Sequence, residues 1–209
     1  MTIIDQLASH RLVPVIALQD AAHAAPLAES LIAGGLPVAE VTFRTAAAAE
    51  SIKIMAKNKD LLVGAGTVLK IDQVKQAVDN GATYIISPGF SPKVVGYCVE
   101  NNIPVTPGIS NPTDIEMALD LGLDVVKFFP AEAMGGLKTL KAIAAPYGMM
   151  KFIPTGGITE RNLLDYLAFP KVLACGGSWM VPTAKIAEGK MDEVTDLIRS
   201  AVDLAKSAS

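Results

Sequence analysis

Val13-Pro14-Val15-Ile16-Ala17-Leu18-Gln19-Asp20 reads as an apolar strand running into a polar turn, and its lack of glycine decides the fold. An open, doubly wound sheet that binds dinucleotides carries Gly-x-Gly-x-x-Gly after its first strand, where backbone must approach a pyrophosphate closely. No such run follows Val13. The glycine pairs come late instead, as Gly156-Gly157 and Gly176-Gly177. In a (β/α)8 barrel a phosphate site is commonly built after the seventh and eighth strands.

Outward from this strand, apolar packets begin near Val13, Val38, Leu61, Thr83, Ile103, Asp124, Met150 and Lys171, spaced by 20 to 26 residues. Each interval suits one strand, one helix and two short loops. Helix ends fall between the packets: Ser91-Pro92 and Asn111-Pro112 place a capping side chain before a proline at the first helical position. Gly34-Gly35, Asn80-Gly81 and Gly122 stop helices. The expectation is an α/β fold, a (β/α)8 TIM barrel forming a single domain over residues 1–209, with a short extra helix over residues 2–10.

Composition narrows the function. Of 209 residues 51% are apolar and 19% charged, enough for a sizeable core and too apolar for a disordered chain. Eighteen Lys and Arg face 21 Asp and Glu, a net charge of -3. That balance does not suit a binder of nucleic-acid phosphates, so no nucleic-acid partner is expected. Mean hydropathy is +0.39, yet no uncharged apolar run reaches the ~18 residues of a spanning helix, so no membrane partner is expected. Asp5 stands where a secretory signal would carry basic residues. Cys98 and Cys175 lie apart in apolar surroundings, as buried thiols of a reducing cytoplasm would.

Strand two reads Val38-Ala-Glu40-Val-Thr42-Phe-Arg44. Alternate side chains share a face, so Glu40, Thr42 and Arg44 point inward while Ala39, Val41 and Phe43 pack outward. A buried Glu–Arg pair that only fixes packing is the competing reading. Strand six, Leu123-Asp-Val-Val-Lys127-Phe-Phe-Pro130, ends an apolar run with one lysine. Burial disfavours its ammonium form and leaves an amine able to attack a carbonyl; snorkelling to water is the alternative. Pro154-Thr155-Gly156-Gly157 and Gly176-Gly177-Ser178 let backbone N–H groups approach a phosphate, and simple tight turns are the plainer reading. Ser87-Pro88-Gly89-Phe90 and Pro107-Gly108, after strands four and five, read as turns first and pocket walls second. His10 and His23 sit in no metal-ligand spacing, so neither a metal nor another cofactor is expected.

Six segments together resemble the 2-keto-3-deoxy-6-phosphogluconate (KDPG) and 4-hydroxy-2-oxoglutarate (KHG) aldolase family. They are Glu40-Val-Thr-Phe-Arg44-Thr45, Gly64-Ala-Gly-Thr67-Val, Ser87-Pro-Gly, Val126-Lys127-Phe-Phe-Pro-Ala-Glu132, Pro154-Thr-Gly-Gly157 and Gly176-Gly-Ser178-Trp. Departures such as Phe43 and Phe90 are apolar exchanges. The resemblance implies a class I aldolase of the Entner-Doudoroff pathway that splits a phosphorylated 2-keto acid into pyruvate and glyceraldehyde 3-phosphate, usually as a homotrimer. It implies that Lys127 forms the Schiff base, Glu40 moves protons, Arg44 and Thr67 bind the pyruvate part and Thr155 influences selection at the aldehyde carbon. Gly156, Gly157, Gly177 and Ser178 would hold phosphate. A sugar-phosphate isomerase or epimerase on the same scaffold, or an aldolase for the C4-epimeric galactonate-derived substrate, stays open.

Overall fold

The computed structural model describes residues 1–208. Helix α1 (Ile3–His10) precedes β1 (Leu12–Ile16), and a 3-10 turn (Ala21–His23) leads into α2 (Ala24–Ala33). Strands and helices then alternate: β2 (Val38–Thr42), α3 (Ala48–Met55), β3 (Leu62–Gly66), α4 (Ile71–Asp79), β4 (Tyr84–Ile86) and α5 (Pro92–Glu100). Next come β5 (Val105–Thr106), β6 (Gly108–Ile109), α6 (Pro112–Asp120), β7 (Val125–Phe128), α7 (Gly136–Ala144) and β8 (Lys151–Phe152). The chain closes with α8 (Leu163–Leu167), β9 (Cys175–Gly177), α9 (Thr183–Ala187) and α10 (Met191–Lys206).

The helix starts follow their side chains. Thr2 and Asp5 form a reciprocal capping box at α1, the arrangement that satisfies two otherwise orphaned N–H groups. Ser91 accepts from Val94 N at 3.4 Å and Asn111 from Asp114 N at 3.1 Å, each followed by proline at the first helical position. The last helix buries Val194, Ile198, Ala201, Val202 and Ala205 and packs on α2, where any side chain larger than that of Gly34 would overlap Ile198. No helix among the described residues is long and apolar enough to cross a membrane.

All the strand pairs are parallel, as βαβ connections require. The order is β5-β4-β3-β2-β1-β9 in one six-stranded sheet and β6-β7-β8 in a second, three-stranded one. Single bridges, Phe152 to Val172 and Thr155 to Gly176, join the β8 segment to the β9 segment. Eight uninterrupted strands in one ladder are therefore not what is observed. Pro107, which has no N–H to give a ladder, separates β5 from β6. The strand expected near Lys171 is formed only at Cys175–Gly177. Pro107-Gly108 also differs from a simple turn: Gly108 is the first residue of β6 and pairs with Lys127, and a side chain there would overlap the Pro88 carbonyl. The buried apolar side chains of these elements make one connected core.

Candidate active site

The two charged side chains come from β2 and β7. Glu40 is in register with Val15 of β1 and Gly64 of β3. A Cβ on Gly66 would overlap the Glu40 carboxylate, so this glycine leaves room for the acid. Lys127 Nζ donates to Glu40 Oε1 at 3.1 Å, and the two residues are only 5% and 1% exposed. Removing such charges from water costs several kcal/mol each, and apolar residues of similar volume commonly fill a core as well or better. The pair therefore points to chemistry. Phe129 flanks it, with its ring centroid 5.3 Å from Nζ, within cation–π range.

Arg44 is placed differently from the sequence expectation. β2 ends at Thr42, although Phe43 N still donates to Gly66 O at 2.8 Å, and the Thr45 hydroxyl donates to Leu18 O at 2.5 Å. Arg44 stands, exposed, in the turn two residues beyond the strand rather than within it. Its Nε donates to Thr42 Oγ1 at 3.1 Å, and Thr42 donates to Ile16 O at 2.7 Å. The competing Glu–Arg pair is not formed; the carboxylate takes the lysine instead.

A cavity of about 160 Å³ opens beside this turn. Arg44, Thr155, Gly156, Gly157, Gly177 and Ser178 line it, with Val15, Phe129 and Ile158 as apolar walls. Six of the nine residues singled out in the sequence thus share one hollow. Thr67 does not line it. It follows β3 directly, at φ +53°, a conformation that strains a β-branched residue and is concentrated at functional sites. Phe129, unmarked by the sequence reading, could have been noticed as the aromatic two residues beyond Lys127, on its face of the strand.

The two glycine pairs work differently. Gly156 and Gly157 have φ +101° and +80°, which glycine alone adopts cheaply. That backbone turns the carbonyls outward: Thr155 O accepts from Ala131 N at 2.8 Å, Gly156 O from Glu132 N at 3.0 Å and Gly157 O from Asn162 Nδ2 at 3.1 Å. Among the described residues the N–H groups of Gly156, Gly157 and Ser178 donate to no protein acceptor, leaving donors for an anion. Gly176 and Gly177 lack positive φ, so they are not tight-turn glycines. Side chains there would overlap Thr155 and the Trp179 ring.

A buried lysine against a carboxylate, beside an anion-receptive hollow at the C-terminal ends of parallel strands, is equipment for covalent work on a carbonyl substrate. The family described as KDPG and KHG aldolase matches residues 3–197. The chain belongs to that family, and is a carbon–carbon lyase of the aldolase class. It is 47% identical to the 2-dehydro-3-deoxy-phosphogluconate aldolase of Haemophilus influenzae, over 98% of this chain and 97% of that protein. It is 46% identical to the KHG/KDPG aldolase of Escherichia coli K12, over 93% and 92%. Among solved structures it resembles KDPG aldolase of Legionella pneumophila, in which pyruvate was captured at low pH as a covalent carbinolamine: TM-score 0.92, 37% identity, 96% of this chain and 98% of that one. The Zymomonas mobilis enzyme, solved with 3-phosphoglycerate, superposes with TM-score 0.89 at 42% identity, over 95% and 94%.

Proposed function

We propose that this chain is a class I aldolase that splits 2-dehydro-3-deoxy-6-phosphogluconate into pyruvate and glyceraldehyde 3-phosphate in the Entner-Doudoroff route. The observation that carries the reading is the buried Lys127–Glu40 pair beside the N–H-lined hollow. Glu40, 3.1 Å from Nζ, accepts a lysine proton, and the freed amine attacks the C2 ketone. Glu40 returns that proton to the carbinolamine hydroxyl, which leaves as water to give an iminium and restores the carboxylate. Glu40 then takes the C4 hydroxyl proton, the C3–C4 bond breaks, and its electron pair moves into the iminium to leave an enamine and the aldehyde. Glu40 returns a proton to C3, and water releases pyruvate from Lys127.

Arg44 holds the substrate carboxylate with Thr67, and Thr155 faces the aldehyde carbon. The free N–H groups around Gly156, Gly157, Gly177 and Ser178 take the phosphate. With those contacts unused, the site also splits 4-hydroxy-2-oxoglutarate into pyruvate and glyoxylate. No cofactor enters this scheme.

The whole chain acts as one domain in the cytoplasm. Its strands close into a (β/α)8 barrel, a reading supported by the bridges between the β8 and β9 segments and by the continuity of β5 with β6 through Pro107. The enzyme is a homotrimer with C3 symmetry. The apolar hollow of Val68, Leu69, Pro88 and Phe90, where Leu69 is 55% exposed, supplies a patch for contact between copies.

Borohydride reduction in the presence of pyruvate tests the chemistry. Mass spectrometry should find a three-carbon adduct on Lys127. An active enzyme that yields no adduct there overturns the assignment.

A further inference from the structure

Behind the glycine loop, away from the reacting groups, a side-chain pair has no part in the scheme above. Glu132 lies in the turn after β7, and its carboxylate accepts the hydroxyl proton of Tyr166, a buried residue of α8. The stem of Glu132 covers Gly157 so closely that a Cβ at 157 would stand 2.6 Å from Glu132 Cβ and 2.7 Å from Cγ. A Cβ at Gly136, the first residue of α7, would meet Glu132 Oε1 at 2.9 Å and Tyr166 Oη at 3.3 Å. The backbone N–H of Glu132 also binds the Gly156 carbonyl. One residue therefore braces both glycines, through its backbone at one and its side chain at the other.

What lies on the outer side matters as much. Glu132 and Tyr166 border a surface hollow of about 670 Å³, much larger than the one holding the candidate phosphate donors. The hollow would leave the carboxylate room to swing out if the tyrosine did not hold it. Burial first, and then the Glu132 hydrogen bond and charge, keep the Tyr166 hydroxyl well above its ordinary acidity range. It therefore remains a donor at any physiological pH.

The geometry points to Glu132 and Tyr166 as positioning residues for phosphate recognition: held together, they press the Gly156-Gly157 backbone into the shape that turns its N–H groups to the hollow. Neither touches the substrate. This rests on the phosphate-site reading proposed above, and it separates phosphate binding from the chemistry at Lys127.

The test compares a phosphorylated with an unphosphorylated substrate. Tyr166→Phe keeps the buried ring and removes only the hydroxyl. It should raise KM for 2-dehydro-3-deoxy-6-phosphogluconate about tenfold at nearly constant kcat, the size expected for losing one hydrogen bond to a charged group. For 4-hydroxy-2-oxoglutarate, kcat/KM should stay within about twofold of wild type. Inhibition by inorganic phosphate should weaken by the same factor as KM rises. Glu132→Gln, which can still accept the tyrosine hydroxyl, should restore most of the affinity that Glu132→Ala loses. Equal losses on both substrates, or none on either, overturn the positioning role. A wild-type enzyme that inorganic phosphate does not inhibit and that has no preference for the phosphorylated substrate overturns the phosphate site itself.

Discussion

Glu40 does two jobs in the proposed scheme, so removing its charge should be severe. Glu40→Gln keeps the volume above Gly66 and should lower kcat by roughly 10²–10⁴-fold, the usual share of a positioned acid–base group. Steady-state kinetics on the purified, folded variant check it. Ser178→Ala should cost about 1.5–3 kcal/mol in kcat/KM on the phosphorylated substrate only; equal losses on 4-hydroxy-2-oxoglutarate would place Ser178 away from the phosphate. Thr67 stores backbone strain at φ +53°. Thr67→Gly should therefore raise stability to urea by about 1 kcal/mol while weakening pyruvate binding. At this scale the sequence was readable where one charge interrupts an apolar strand, as at Glu40 and Lys127. The resemblance put both in one site, but it did not reveal that they would bond each other directly, because their approach depends on how β2 and β7 are registered in their sheets. Nor did it show that β2 would stop two residues short of Arg44. The Glu132–Tyr166 pair was invisible for the same reason: the partners are 34 residues apart and neither breaks a local pattern.

Helix starts were more legible than strand ends, since capping is local and needs only the residues beside it. The Asn111 cap is a compact instance. Asn111 accepts from Asp114 N, while the Asp114 carboxylate accepts from Ser110 N at 2.9 Å and Asn111 Nδ2 at 3.0 Å. Asn111→Ala should cost about 1 kcal/mol in urea unfolding with kinetics near wild type; no change in stability would mean that Pro112 suffices to start α6. Strand boundaries depend on neighbours. The spacing of apolar packets gave the number of βα units, but Pro107 divides the fifth strand, and β8 and β9 are only two and three residues long. The glycines of Gly176-Gly177 were legible as a special site, though their cause lies in the approach of Thr155 and Trp179, which no linear pattern encodes.

Over the whole molecule, buried proton donors set an alkaline limit on stability. Burial pushes the Cys98 thiol from 9.0 up to about 11. Tyr84, whose hydroxyl donates to Ala39 O at 2.8 Å, is held above its ordinary 10.0 by burial first and by the Glu40 charge second. Both pKa values are raised in the folded state, so the unfolded chain loses these protons first. The stability from Cys98 is complete below about pH 9 and drains away as pH rises from 9 through 11, and that from Tyr84 is complete below about pH 10 and is lost above it. Urea midpoints measured from pH 8 to 11 should fall over that range; a flat series would contradict the burial of these groups. Assembly is checked by light scattering: three chains of 21.8 kDa give a particle of about 65 kDa, and one near the mass of a single chain would reject the closed ring.

The contact between Lys127 and Glu40 spans 87 residues of chain and ties a strand of the six-stranded sheet to one of the three-stranded sheet. Ordering that much intervening chain makes such a contact slow to form. Each half can acquire helices and local ladders before the lysine meets its acid. During refolding, then, the ability to trap pyruvate with borohydride should return after the far-ultraviolet signal has recovered. Imine formation becomes a clock for the moment at which the two halves of the sheet dock.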